Sequence, residues 1–343
     1  MRIALGSERL LASSALQGKR VGVVCNPASI DHGFGHIADR IAAMPGVTLA
    51  AIFGPQHGFR SDVQENMIES GHAKDDRRRV PVYSLYSETR VPTPEMMQGL
   101  DVMVIDLQDV GTRIYTYIYT MAYCLTAARR DGVKVIVCDR PNPIGGTQVE
   151  GPMLEKGFES FVGLYPIPMR HGMTIGELAR LFNDHFGIGA DLEVVTMQGW
   201  TRDMYHDDAR APWVTDERFA EALNARQVPG VHFRPTVFEP TFHKHAKASC
   251  GGVQIHVTDR STFPAVMVGV LLTEAFRDAG PGAFEWRQPP YEYEYTLLPF
   301  DILCGTADTR QQLEAGMKTE EIARSWTPGV DAFNTLRQTF LLY

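Results

Sequence analysis

One loop carries an unusual concentration of side chains that could do acid–base chemistry. It reads FGPQHGFRSDVQEN and follows a short apolar strand pattern. Its amide, imidazole, guanidinium and carboxylates belong to Gln56, His57, Arg60, Asp62 and Glu65. Carboxyl and imidazole groups transfer protons near neutral pH, and a guanidinium binds carboxylates. The loop therefore predicts a reaction centre. The alternative is an ordinary loop, in which the acids hydrogen-bond nearby backbone amides.

Three other predicted strands also end in polar residues. Those residues are Asn26 after the first strand, Asp106, Gln108, Asp109 and Arg113 after the fourth, and Asp139 and Asn142 after the fifth. The carboxyl ends of parallel strands lie along one edge of a sheet, where ligands bind. We therefore expect the four strand ends to line one cleft.

Two patterns in the sequence could indicate a cofactor. Gly33-Phe-Gly35 begins a formal GxGxxG/A sequence, but its glycines do not adjoin the strand end, and no acidic residue follows about 20 positions later. His243 and His245 would share one strand face, and His57 or His171 could complete a metal site. Because no spacing fixes a third ligand, the two histidines are predicted to line a polar pocket. We expect neither a metal nor a nucleotide cofactor.

The tyrosines after the fourth strand allow two interpretations. Tyr115, Tyr117 and Tyr119 would spread around a helix and pack with their hydroxyls at the rim. Alternatively, those nearest the strand end, Tyr117 among them, face a ligand. A tyrosine ring is apolar and its hydroxyl is polar and solvated, so such a ring can stack on the face of a sugar.

The elements that must position these residues alternate between strands and helices. Apolar strands are predicted at 20–26, 47–53, 80–86, 101–107 and 133–139, with helices at 36–44 and 114–130 between them. A capped helix at 174–186 and a strand at 191–197 follow. Continuous apolar strands separated by helices are typical of an α/β fold with a doubly wound, mostly parallel sheet.

The second half has a different pattern. Helices are predicted at 215–225, 263–279, 319–325 and 328–340, and alternating strands at 231–242 and 251–259. We place a boundary near residue 200. The sequence thus predicts a Rossmann-like domain over 1–200 and a smaller α+β domain over 201–343 that closes the cleft.

Composition limits the possible partners and location. The chain has 343 residues and a net charge of −8, which argues against nucleic-acid binding. No apolar run approaches a membrane span, and the first residues lack a secretory signal pattern. We expect a cytoplasmic protein, or a periplasmic one if a leader was removed. The five cysteines are widely spaced and predict free thiols in a reducing compartment. The oligomeric state stays open.

Several longer motifs of the chain resemble those of a known protein family. Besides the opening loop they are PVYSLYSETRVPTPEM, DLQDVGTRIYTYIYTM, DRPNPIGG, VEGPMLE, SFVGLYPIPMRHGMTIGELARLFN and FLLY. Together they resemble the exo-β-N-acetylmuramidase family, once a domain of unknown function, from about residue 16 to 343. The resemblance implies a Rossmann-like domain, a smaller second domain and a cleft between them. It also implies removal of N-acetylmuramic acid from the non-reducing end of peptidoglycan fragments, without a cofactor.

Two departures from that family's pattern bear on activity. The family motif usually reads Gly-Pro-Glu-His-Gly, with its glutamate as the presumed acid, whereas this chain has Gln56. An amide cannot protonate a leaving oxygen. In addition, a long stretch usual in the family is missing after Ala209, so that loop is either deleted or incomplete in the chain.

These observations lead to one hypothesis and two rivals. In the first, a glycosidase uses Asp62 or Glu65 for proton transfer, with Gln56 and His57 beside them. The residues predicted to bind the sugar or its lactyl carboxylate are Asn26, Arg60, Asp106, Gln108, Asp109, Arg113, Tyr117, Asp139, Asn142, His171, His243 and His245. The rivals are a sugar-binding or sensing protein that has lost turnover, and an enzyme for a different sugar or bond. The partner is in each case a small carbohydrate or muropeptide.

Overall fold

The computed structural model describes residues 3–60, 69–205, 217–238, 250–279 and 284–343. The chain forms two compact units. The first comprises Met1–His206, Gln288–Thr306 and Gly329–Tyr343, and the second Asp207–Arg287 and Ala307–Pro328. The chain first leaves unit 1 close to the predicted boundary at 200. It then returns to unit 1 twice, over segments that the sequence had placed in the second domain.

Unit 1 contains nine described strands. They are β1 (Arg20–Cys25), β2 (Thr48–Gly54), β3 (Ala73–Asp75), β4 (Val80–Ser84), β5 (Val102–Asp106), β6 (Lys134–Cys138), β7 (Glu150–Met153), β8 (Pro168–Arg170) and β9 (Leu192–Val195). Seven form a sheet in the order β3-β4-β2-β1-β5-β6-β9, parallel except for β3 against β4. Strands β7 and β8 pair separately and antiparallel.

The helices lie between and after these strands. They are α1 (Gly6–Leu11), α2 (Ile37–Ala42), α3 (Pro94–Met97), α4 (Tyr117–Asp131), α5 (Ile175–Arg180), α6 (Glu217–Asn224), α7 (Ala265–Ala279), α8 (Pro299–Cys304), α9 (Asp308–Glu314), α10 (Thr319–Ser325) and α11 (Thr327–Arg337). A π-helical turn at Leu181–His185 continues α5. No helix in these ranges is both long and apolar enough to cross a membrane.

The central strands are buried on both faces, which explains their unbroken apolar sequence. All five residues of β5 are buried. Met103 and Ile105 pack into one apolar cluster, while Val102 and Val104 pack into another. Successive strand side chains point to opposite faces, so two clusters on one strand mean helices on both sides of the sheet. This confirms the predicted doubly wound α/β fold.

The order of the strands places a switch point between β1 and β5. From β1 the chain continues to β2 on one side, whereas β5 lies on the other side of β1. Val23 of β1 pairs with Ile52 of β2 and with Val104 of β5. In open α/β sheets the loops diverge at such a point and leave a crevice beyond the carboxyl ends. The polar loops of the sequence follow these strands.

Unit 2 is built around a hairpin of β10 (Val231–Phe238) and β11 (Cys250–Val257). Its apolar core includes Phe233, Val268 and Leu271. Glu274 is buried beside it. Burial opposes ionisation there, but hydrogen bonds from Thr319, Lys318 and Arg226 lower the pKa of Glu274 to about 2. The hairpin with its helices agrees with the smaller α+β domain predicted for this part of the chain.

Several short elements were not predicted from the sequence. They are α1, α3, α8, α9, β3, β7 and β8. Each spans three to seven residues, too few to show a periodic pattern. Among the cysteines, Cys25, Cys124, Cys138 and Cys304 are buried with free thiols, as expected.

Candidate functional site

Hydrogen bonds join the ends of three neighbouring strands. Asn26, directly after β1, donates from Nδ2 to the hydroxyl of Tyr117 at 2.9 Å. Thr116 donates from Oγ1 to Oε1 of Gln56 at 2.8 Å. Because Thr116 and Tyr117 begin α4 after β5, these contacts tie the loops after β1, β2 and β5 together. The strand ends thus meet along one edge of the sheet, as the sequence predicted.

Backbone geometry fixes the loop that carries Gln56. A Cβ on Gly54 would lie 2.6 Å from the backbone nitrogen of Phe59, so the chain must turn sharply past a glycine. His57 adopts a left-handed conformation with φ of 70°. This conformation costs a non-glycine residue about 1–2 kcal/mol, and such strain is concentrated at functional sites. Gln56 itself is buried.

The tyrosines beside this loop pack against each other. The rings of Tyr115 and Tyr117 lie 4.6 Å apart between centroids, with an angle of 58° between their planes. Burial raises the pKa of both hydroxyls, so both stay protonated at neutral pH. Tyr119 is fully buried and donates to the carbonyl of Arg113 at 2.7 Å. Tyr117 therefore belongs to the edge, whereas Tyr119 packs into the fold.

A glutamate that was not predicted from the sequence contacts Tyr86, which follows β4. Glu292 is 4% exposed, and its Oε2 accepts a hydrogen bond from the Tyr86 hydroxyl at 3.2 Å. Burial raises the pKa of Glu292, against the opposing effects of Tyr86, Arg90 and His57. The sequence offered a weak signal, since Glu292 lies in an unassigned stretch far from every predicted strand end.

An arginine stacks on aromatic rings next to Glu292. The Arg90 guanidinium carbon lies 4.2 Å from the ring centroid of Tyr86 and 4.8 Å from that of Tyr293. Its Nη2 is 3.8 Å from a carboxylate oxygen of Glu69. Cation–π contacts hold such a side chain in place. The cluster combines a fixed positive charge with aromatic faces.

Asp109 and His171 form a buried pair with open hydrogen-bonding capacity. Asp109 Oδ2 lies 3.4 Å from His171 Nε2 and accepts the Gly111 amide at 2.8 Å. His171 Nδ1 accepts the Met173 amide, so its proton lies on Nε2, toward Asp109. Within the described parts of the chain, neither Asp109 Oδ1 nor His171 Nε2 has a hydrogen-bond partner. The pair is enclosed within the fold, so neither side chain is accessible to a sugar.

Two aspartates predicted to line the sugar site are instead buried structural groups. Both oxygens of Asp106 bind the Arg140 guanidinium, at 2.6 and 2.8 Å. Asp139 accepts from Thr174, the Gly176 amide and the hydroxyl of Tyr343. Burial raises the pKa of Asp139 to about 7, although these hydrogen bonds oppose the rise. Neither carboxyl group is accessible to a sugar, because each is fully enclosed.

Arg113, which was predicted to bind a ligand, instead lies inside the fold. Its side chain is fully buried, and its guanidinium donates to the backbone carbonyls of Ile167, Leu303 and Cys304 at 3.2, 2.9 and 2.7 Å. It neither reaches the surface to bind a lactyl carboxylate nor forms an ion pair with Asp109. The strand-end position suggested a ligand contact, but a long side chain can turn back into the fold.

Gln108 and Asn142 hold neighbouring loops together. Gln108 Nε2 donates to the carbonyl of Pro141 at 2.8 Å, which joins the loops after β5 and β6. Asn142 donates to the carbonyl of Met173 at 3.0 Å and accepts the amide of Ile144. Asn142 is buried, while Gln108 is partly exposed. Of the two, Gln108 is available to a ligand.

Two hollows open at this end of unit 1. One of about 590 Å³ is lined by Ile3, Leu5, Ile30, Asp31, His32, Phe34, Gln108, Val110, Arg140, Pro141 and Pro143. It lies beyond β1, β5 and β6, but neither Gln56 nor His57 lines it. A smaller hollow of about 330 Å³ includes the exposed Arg60 and Glu69. We place the chemistry beside the second, because its walls continue from the Gln56 loop.

Four predicted site residues, Asp62, Glu65, His243 and His245, lie outside the described residues. Their predicted roles stay predictions. Within the part of the chain that is described, no group of three or more His, Cys, Asp or Glu could hold a metal ion.

Comparison with known proteins decides the family. Residues 21–218 match the model of the N-terminal domain of exo-β-N-acetylmuramidase NamZ, and residues 209–343 match that of its C-terminal domain. The chain belongs to the NamZ family. The peptidoglycan β-N-acetylmuramidase NamZ of Bacillus subtilis (strain 168) is 39% identical over 388 aligned residues, which cover 100% of this chain and 92% of the relative.

Two solved structures of DUF1343 family proteins share the fold. One DUF1343 protein of Bacteroides fragilis superposes with a TM-score of 0.88 at 32% identity, covering 100% of this chain and 99% of its own. A second from the same organism gives a TM-score of 0.72 at 24% identity, with the same coverage, and supports the fold alone. The family resemblance read from the motifs is thus confirmed.

Proposed function

We propose that this chain is an exo-acting β-N-acetylmuramidase, which releases N-acetylmuramic acid from the non-reducing end of peptidoglycan fragments. The observation that carries the proposal is the full-length similarity to a curated peptidoglycan β-N-acetylmuramidase. The gathered strand ends at Asn26, Gln56 and Tyr117 support it, because they offer neutral hydrogen-bonding groups suited to a sugar. The substrate is then a small carbohydrate or muropeptide, and the cytoplasmic location stays a prediction.

The described residues suggest how a sugar would be held. Asn26, Tyr117 and the Nε2 of Gln56 would bind hydroxyl or acetamido groups, and the ring of Tyr293, which is partly exposed, would offer an apolar face. Arg60, which is exposed beside the same loop, would bind the lactyl carboxylate.

A second function is favoured by one observation, the amide at position 56. General acid catalysis contributes about 10²–10⁴-fold to rate. A chain that replaces the family's presumed acid with Gln56 and has no substitute would bind a muramyl ligand without cutting it. Such a protein would be a sugar-binding or sensing member of the family.

Chromogenic glycosides separate these functions. The wild type and Gln56→Glu should be incubated with a p-nitrophenyl β-N-acetylmuramide and with the corresponding glucosaminide. The muramidase proposal expects the wild type to release p-nitrophenol from the muramide only. Binding without release, with activity appearing in Gln56→Glu, would favour the sugar-binding function. Release from the glucosaminide alone would mean a different sugar specificity.

A further inference from the structure

Glu292 lies at the tip of a tight turn with a strained backbone. Tyr291 and Glu294 exchange two backbone hydrogen bonds of 2.9 Å, and the two residues between them have φ of 48° and 66°. Such turns favour Asn and Gly, since other residues pay about 1–2 kcal/mol in this region. A glutamate and a tyrosine are held there instead. Strain of this kind persists where the surroundings impose it, often at functional sites.

The Glu292 carboxyl group is held in place, but few hydrogen-bond donors among the described residues surround it. Its Oε2 accepts from the neutral hydroxyl of Tyr86 at 3.2 Å, and Tyr86 is itself covered by the Arg90 guanidinium. Burial raises the pKa of Glu292, while Tyr86, Arg90 and His57 act in the opposite direction. The protonated form is therefore favoured relative to an exposed glutamate, as a proton donor requires.

The segment that carries Glu292 is linked to the loop in which Gln56 replaces the usual glutamate of the family motif. Tyr86, which donates to Glu292, directly follows Leu85, and the Leu85 amide donates to the carbonyl of Gly54 at 2.8 Å, two residues before Gln56. His57 directly follows Gln56 and has the same unusual left-handed backbone as Glu292. The turn that carries Glu292 is thus linked, through Tyr86 and Leu85, to the end of β2 where the Gln56 loop begins.

We propose that Glu292 donates the proton to the leaving glycosidic oxygen, in the role that a glutamate at position 56 has in the usual family motif. This inference rests on the proposed glycosidase activity. The bond between C1 of the muramyl residue and the leaving oxygen breaks, and that oxygen takes the proton of Glu292. The water that adds to C1 later returns a proton to the carboxylate, so one water is consumed and the acid is regenerated.

Other described carboxyl groups of unit 1 fit this role less well. Glu69 is half exposed, lies 3.8 Å from Arg90 and accepts from the Tyr293 hydroxyl. Asp106 is bound on both oxygens by Arg140. Asp139 has a raised pKa too, but it is enclosed by donors within the fold. Glu292 combines burial, one neutral donor and a link through Tyr86 to the end of β2.

The test compares Glu292→Gln with the matched control Glu294→Gln, two residues along the same turn. Each is assayed on a p-nitrophenyl muramide, whose leaving group needs little protonation, and on a muramyl disaccharide, whose leaving sugar needs a proton. We expect Glu292→Gln to lower kcat by about 10²–10⁴-fold on the disaccharide and far less on the p-nitrophenyl substrate, with KM little changed. Glu294→Gln should stay within threefold of the wild type on both.

A second variant separates chemistry from folding. Gln56→Glu combined with Glu292→Gln restores a carboxyl group beside the same bond, so it should recover at least tenfold of the lost disaccharide rate. Loss of activity in Glu292→Gln to the same extent on both substrates, without recovery in the double variant, would overturn the inference. An unchanged rate in Glu292→Gln would also overturn the inference about Glu292, although the glycosidase proposal would then stand. An inactive wild type would overturn both.

Discussion

Thr116 and Gln56 are joined by a hydrogen bond of 2.8 Å, in which the threonine hydroxyl donates to the amide oxygen. This contact links the start of α4 to the loop after β2 and fixes the plane of the Gln56 amide. We propose that its Nε2 group donates to a substrate oxygen. The position that carries an acid in the usual family motif would then serve as an oriented hydrogen-bond donor.

Removing the Thr116 hydroxyl should therefore affect activity. In Thr116→Val the amide of Gln56 loses about 1 kcal/mol of orienting interaction, so we expect kcat/KM for the muramide to fall about three- to tenfold. Steady-state kinetics measure this. Thr126→Val on the same helix is the control, because the Thr126 hydroxyl donates only to the Ala122 carbonyl. Equal effects of both variants would argue against a role for the contact.

Arg60 should control selectivity for the lactyl group. Its side chain is exposed beside the smaller hollow, and Arg60→Gln would remove a charge that faces an anionic substituent. We expect KM for a β-N-acetylmuramide to rise about tenfold, with kcat nearly unchanged, because a charged hydrogen bond contributes about 1.5–3 kcal/mol. Inhibition by glucosamine-type ligands, which lack the carboxylate, should not change. An identical loss for both ligand types would exclude carboxylate recognition by Arg60.

The ion pair between Asp106 and Arg140 should be important for stability. Breaking a buried pair leaves one charge uncompensated and typically costs about 3–5 kcal/mol. Asp106→Asn should therefore lower the free energy of unfolding by that order in chemical denaturation. The control is Asp131→Asn, which removes a partly exposed pair with Arg130 worth less than about 1 kcal/mol. A loss of unfolding free energy as small as that of the control would show that the pair of Asp106 and Arg140 contributes less to stability than its geometry indicates.

The sequence predicted the sheet and its edge better than the individual side chains. Continuous apolar strands such as β5 determine a doubly covered sheet, and the sheet determines where its carboxyl ends lie. It could not show that Arg113 turns inward to bind three carbonyls, because those carbonyls come from residues up to 191 positions away. For the same reason Glu292 was missed. Its partner Tyr86 lies far away in sequence and meets it only in the folded chain.

Asp139 should make stability depend on pH in an unusual direction. Its pKa is about 7 in the folded chain, against about 4 for an unfolded aspartate. Between these values the folded state holds a proton that the unfolded state releases, so stability falls as pH rises from 4 to 7. We expect the wild type to lose up to about 4 kcal/mol relative to Asp139→Asn over this range. Denaturation of both proteins at several pH values checks the sign.

The difference in unfolding free energy between the wild type and Asp139→Asn decides whether Asp139 is the group responsible. If the difference between the wild type and Asp139→Asn stayed constant from pH 4 to 7, Asp139 would not titrate in this window.

The central claim is that a muramyl sugar binds where the strand ends meet, beside Gln56, His57 and Glu292. A crystal structure of the protein with N-acetylmuramic acid tests it most directly. We predict the sugar within hydrogen-bond distance of Gln56 Nε2, with its anomeric oxygen near the Glu292 carboxyl group. Clear density for the sugar in the larger hollow beside Arg140, or elsewhere on the molecule, with the Gln56 edge empty, would contradict the account.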